Sequence, residues 1–147
     1  MKIFRWIGFL LISLFLTIPT LSYALPPVTE TEPKAPTLSA AKEAYLHQRS
    51  NLFLTVEGEV AKMLRDDVQG TPHQRFIIMT AEGQTILVAH NLQLAPRVPL
   101  QPGLKLRIRG EYQWNPKGGL IHKTHHTTKA RLPSGWIEIV KTGQRFQ

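Results

Sequence analysis

Cysteine is absent from this chain, which excludes disulfides, thiolate metal sites, thiol nucleophiles and lipid attachment through sulfur. There is no G-x-S-x-G elbow, no phosphate-cradling G-x-x-x-x-G-K-S/T loop and no dinucleotide fingerprint. Any catalysis is therefore left to His, Asp or a bound metal assisting hydrolysis. Acidic residues are few, 10 against 18 Lys plus Arg, for a net charge of +8. What the 147 residues do contain is enough apolar side chain, 42%, for one core, with 11 Pro and 10 Gly to turn the chain between short elements.

Lys2 and Arg5 precede a run from Trp6 to Ile18 broken only by Gly8, Ser13 and Thr17. Ser22-Tyr23-Ala24 then offers small residues on either side of Tyr23, ahead of a cleavage after Ala24. A basic start, a short apolar stretch and a small-x-small exit predict a signal peptide over 1–24. The run falls short of the roughly 20 residues a spanning anchor needs. That favours cleavage, no stable membrane insertion afterwards, and a periplasmic or secreted protein. Removal of Lys2 and Arg5 lowers the charge excess by two, to +6. Residues 25–36 (LPPVTETEPKAP) carry four prolines and almost nothing to bury, and read as an extended spacer. Residues 37–147 read as a single domain.

Leu38, Ala41, Ala44 and Tyr45 recur at helical spacing, predicting a helix over about 38–49 with Thr37 or Ser39 as its cap. After Asn51 the period drops to two. Leu52, Leu54, Val56, Val60 and Leu64 share one face of a long first strand, with Gly58 permitting a bend. His73 to Ala81 and Gln84 to His90 form a hairpin around a two-residue Glu82-Gly83 turn. The fourth strand alternates Leu104, Leu106, Ile108, Tyr112 and Trp114 inside with Lys105, Arg107, Arg109 and Glu111 outside. A fifth strand spans Leu120 to about Thr127 and a sixth Trp136 to Val140. The pattern predicts a mainly β fold: a small five- to six-stranded OB-like barrel with a short N-terminal helix. An open sandwich is the other arrangement it fits.

A two-residue turn at Glu82-Gly83 sets Arg75 opposite His90, with His73 two residues along on the same face. Asp66 and Asp67 enter this strand at His73, and Asn91 leaves its partner there. The expectation is a polar cluster at the open end of one hairpin: His73, Arg75, His90 and Asp67 as catalytic candidates, and Arg75 and Asn91 as ligand-binding ones. Arg107 and Arg109 join the latter as a basic stripe with Lys105, suited to phosphate contacts. In an extended strand His122 and His126 share a face, with His125 opposite. His122, His125, His126 and Asp66 are thus candidate ligands for one divalent metal, though the spacing is not the helical HExxH pattern. Each feature also has a plainer explanation. The aspartates can cap their own turn, Arg75 can make a cross-strand ion pair, and a histidine can satisfy core acceptors.

Five segments together resemble a bacterial exported family, domain of unknown function 3465. They are DD-x-x-G-x-x-HQRF (Asp66 to Phe76), AHNLQLAPR (Ala89 to Arg97), GEY-x-WN-x-x-GG (Gly110 to Gly119), IH-x-THH (Ile121 to His126) and Gly135-Trp136. The resemblance spans roughly residues 52 to 147 and implies an exported or envelope-associated small β-barrel, with no established activity. The family pattern has Trp where this chain has Lys123 and Asp where it has Thr127, so a role carried by that Asp is lost or altered here.

Three functions remain in view. One is an exported module binding an anionic ligand, such as a phosphodiester or nucleic acid, with or without metal-assisted hydrolysis. Another is a periplasmic zinc- or copper-binding protein. The last is a structural or interaction module whose polar residues only knit the barrel.

Overall fold

Period-two alternation buries one face of the main strands from Leu52 to Gln113, and a sheet with one buried face is satisfied by closing on itself. The computed structural model describes residues 38–129 and 131–147. The leader, the proline-rich spacer and Thr37 lie outside them. The elements run α1 (Ala40–Leu46), β1 (Leu52–Met63), β2 (His73–Met79), β3 (Thr85–Asn91), β4 (Lys105–Gln113), β5 (Leu120–His122), β6 (Trp136–Ile139) and β7 (Gln144–Phe146). β1, β2, β3, β5 and β4 pair in that order, and β4 returns to β1 to close a five-stranded barrel. β6 and β7 extend the sheet from β4. Among the described residues only β3 and β5 pair in parallel.

The OB-like barrel with one short helix is the fold that the alternation predicts. Phe76, Ile78, Ile86, Leu106, Ile108 and Tyr112 are fully buried, each contributing roughly 1.5–3 kcal/mol by leaving water. β7 was not foreseen, because three residues are too few to display a period. Ser39 caps α1, its hydroxyl accepting from Lys42 N at 3.2 Å, and Ala41 and Ala44 join the core. Trp114 Nε1 donates to Tyr45 O at 3.1 Å and Ser39 N to Glu82 Oε1 at 2.7 Å, so the helix is fastened to the barrel at both ends. It stops at Leu46, short of the expected Arg49, as the chain turns through Gln48 at φ 51°.

Three departures from the expected register reposition the polar residues. A bulge between Val60 and Lys62 inserts one residue, so Leu64 leaves the core face and lies with Ile77 and Leu87 on the outside. The β2–β3 loop holds three residues, Ala81-Glu82-Gly83, closed by Thr80 N donating to Gln84 O at 2.9 Å. Gly83, at φ 73°, supplies the left-handed residue that ends such a loop. Finally, β5 ends at His122, because Lys123 at φ 52° breaks the extended run.

Candidate functional site

The longer hairpin loop shifts every β2–β3 partner by one. His90 faces Gln74, Arg75 faces Ala89 and His73 faces Asn91. The expected pairing of Arg75 with His90 is therefore wrong: the two side chains sit on opposite faces of the sheet, His90 inside the barrel and Arg75 outside.

His90 is fully buried and both its nitrogens are engaged. Nε2 lies 3.1 Å from Pro96 O, and a carbonyl only accepts, so Nε2 carries the proton. Nδ1 then accepts from the hydroxyl of Thr124, itself fully buried, at 2.8 Å. Burial above all lowers the His90 pKa, with smaller contributions in the same direction from the nearby His125 and His73 rings. A neutral, doubly bonded imidazole holds the 91–103 connection against the barrel. Gln74 does the same from the neighbouring strand, its amide donating to Val98 O at 2.9 Å while Val98 N donates to its carbonyl at 3.0 Å. Asp66 and Arg97 join the two loops further out as a two-pronged ion pair. Asp67 makes a backbone bridge to His73 and uses its carboxylate to accept from Gln69 N at 3.1 Å, the self-capping turn.

The outer face carries a different set. Pairing across the strands lines up Arg75, Ala89, His122, Glu111 and Phe53, one residue from each of β2, β3, β5, β4 and β1. The β3–β5 step follows from Val88 opposite Ile121, which sets His122 beside Ala89. Ala89 puts only a methyl between Arg75 and His122. His73 and Asn91 form the next pair toward the barrel end. Arg75 Nε donates to Arg65 O at 3.1 Å, while its two terminal nitrogens make no bond among the described residues. His73 Nδ1 donates to Thr71 O at 2.7 Å, leaving Nε2 without a partner among them.

Glu111 and Lys123 belong to this site and were missed. His122 Nε2 donates to Glu111 Oε1 at 3.2 Å, and Lys123 Nζ donates to Oε2 at 2.7 Å. The Lys123 hydrogen bond above all holds Glu111 below the usual carboxylate range. Burial lowers the His122 pKa, with Glu111 opposing it and Lys123 and His73 adding to it. A carboxylate that fixes Nε2 as a donor leaves Nδ1 with the lone pair of a neutral ring, which can accept a proton. Glu111 was legible only as an outward residue of β4; its meeting with His122 depends on the 114–119 loop, whose register the sequence does not reveal. The same registration needs Gly110, where a Cβ would lie 2.4 Å from His122 O.

Elsewhere the expected sets do not assemble. No three His, Asp or Glu side chains stand within metal-binding reach among the described residues. His122 and His126 were expected on one strand face, but β5 ends between them. His125 Nδ1 donates to His126 O at 2.9 Å, His126 Nδ1 lies 3.2 Å from Ser134 Oγ, and Asp66 is taken by Arg97. The basic stripe is largely neutralised. Arg107 lies 2.6 Å from Glu57 and 3.0 Å from Glu138, and Lys105 lies 4.0 Å from Glu59. Arg109 stays free of carboxylates among the described residues, reaching Thr55 Oγ1 at 3.4 Å and standing over the Phe53 ring.

A family described as "Protein of unknown function (DUF3465)" matches residues 25–147, and the chain belongs to it. No curated protein and no solved structure matches the chain. The motif residues divide by side of the sheet. Gln74, His90, Pro96 and Thr124 tie the loops from within, while His73, Arg75, Glu111 and His122 look outward.

Proposed function

We propose that this family member is an exported OB-like module that binds a single-stranded polynucleotide through its phosphodiesters, on the outer face of β2, β3 and β5. The observation that carries the reading is Arg75. Its Nε is anchored by Arg65 O while both terminal nitrogens are without a partner among the described residues, on the sheet face that also carries His73, Asn91 and His122. A planar guanidinium fork fits two phosphate oxygens, and neighbouring imidazoles supply further donors. The excess of base over acid adds long-range attraction that weakens with salt. Export is part of the reading and rests on the Lys2–Ala24 leader.

Fluorescence anisotropy with a labelled short oligothymidylate tests it. The protein is expected to bind with an affinity that falls steeply with salt, and Arg75→Gln to bind about tenfold more weakly, the equivalent of about 1.4 kcal/mol. Binding unaffected by Arg75→Gln would remove the reading. A hydrolytic version is favoured by one feature, the Glu111–His122 pair with its open Nδ1. Gel analysis of the same mixtures separates the two: shortened products from the parent protein and none from His122→Gln extend binding to catalysis, and intact oligonucleotide throughout leaves binding alone.

A further inference from the structure

Beyond β5 the chain stands off the barrel beside β1 and β4, bounding an open cleft of about 800 Å³. That volume lies within the range of small-molecule sites, about 300–1,000 Å³. Its lining combines Phe53, Leu94, Leu132 and Pro133 with Lys123 and Lys129. Leu94 and Leu132 are 55% and 56% exposed, so two large aliphatic side chains face water on the same hollow. The charge around them is mainly positive. Residues 123–131 contain Lys123, Lys129 and Arg131 and no Asp or Glu. The carboxylate in the lining, Glu111, is already bonded to Lys123 and His122.

The apolar part is mostly aliphatic. Phe53 is the one phenyl ring in the lining, beside the imidazoles of His125 and His126, which are bonded to His126 O and Ser134, and the Arg109 guanidinium stands 5.2 Å from the Phe53 ring centroid. One ring face is thus covered, which makes a poor platform for a stacked base or sugar. Leucine and proline surfaces with an ammonium at the rim suit an extended hydrocarbon chain ending in an anion. We propose that this cleft binds a single-chain anionic amphiphile, a long-chain fatty carboxylate, with its chain along Leu94, Leu132 and Pro133 and its carboxylate at Lys129. The cleft shares Phe53, Glu111 and Lys123 with the neighbouring polynucleotide face, but Arg75, His73 and Asn91 take no part in it, so Arg75→Gln tells the two readings apart.

Isothermal titration of the purified protein with dodecanoate, kept below its micellar concentration, tests the proposal. Dodecyltrimethylammonium and dodecyl maltoside serve as parallel probes. Dodecanoate is expected to saturate one site, with the cationic homologue at least about tenfold weaker. Leu94→Ser/Leu132→Ser, at exposed positions and checked for an unchanged melting temperature, should weaken binding by at least about tenfold. Lys129→Gln should weaken it severalfold, and Arg75→Gln should leave it unchanged. No saturable dodecanoate site, equal affinity for all three head groups, or a double-serine variant that binds like the parent would each overturn it. So would partition onto anionic vesicles in place of dodecanoate binding, which would make the leucines a membrane contact instead.

Discussion

At His90, Pro96 O fixes the proton on Nε2 and the buried Thr124 hydroxyl satisfies Nδ1. His90→Ala leaves a cavity and deprives the buried Thr124 hydroxyl of its partner, and should cost about 2–4 kcal/mol, read as a lower melting temperature. Oligonucleotide affinity should not change, because the ring is on the other side of the sheet from Arg75. The same burial gives stability a pH dependence. Burial depresses the folded-state pKa of His90, and also that of His122, below the ordinary imidazole value. Between the two values the unfolded chain binds more protons, so stability is full above about pH 6.5 and falls as the pH drops through and below that point. Melting curves from pH 8 to pH 5 should show this decline in the parent protein and a shallower one in His90→Ala; parallel curves would contradict the burial argument.

Among the elements, β4 and β5 are held in register by contact as much as by hydrogen bonds. Gly110→Ala would drive a methyl into the His122 carbonyl and should cost more than about 2 kcal/mol. Hydrogen exchange should quicken at Ile121 and His122 first. Exchange unchanged there would show that the strands can separate without loss. The strands themselves were legible because alternation survives ignorance of the loops: Leu106, Ile108 and Tyr112 point in and Arg107, Arg109 and Glu111 point out whatever precedes them. Partners across strands were not legible, since they depend on loop length. One additional residue before Gly83 exchanged Ala89 for His90 opposite Arg75. The His122–Glu111 meeting was hidden for the same reason, and the break at Lys123 because a positive φ at lysine leaves no trace in a hydrophobic pattern.

On the scale of the whole molecule, the barrel separates two kinds of polar residue that lie intermixed along the chain. Those within it hold loops, and those outside it include Arg75, His122 and Glu111, in a row with Ala89 and Phe53 across five strands. Adjacent strands lie about 4.8 Å apart, so that row is long enough for an extended polymer to cross and too exposed to enclose a small ion. On the β4 stripe, Lys105 and Arg107 are paired with Glu59, Glu57 and Glu138, which leaves Arg109 as its cation free of carboxylates among the described residues. The most direct test is nuclear magnetic resonance titration of the isotopically labelled protein with oligothymidylate. The Arg75 Nε signal and the amides of His73, Ala89, Asn91 and His122 are expected to shift together, with Ile137 and Arg145 unmoved. Shifts centred on Lys105 and Arg107, or none at saturating oligonucleotide, would contradict it.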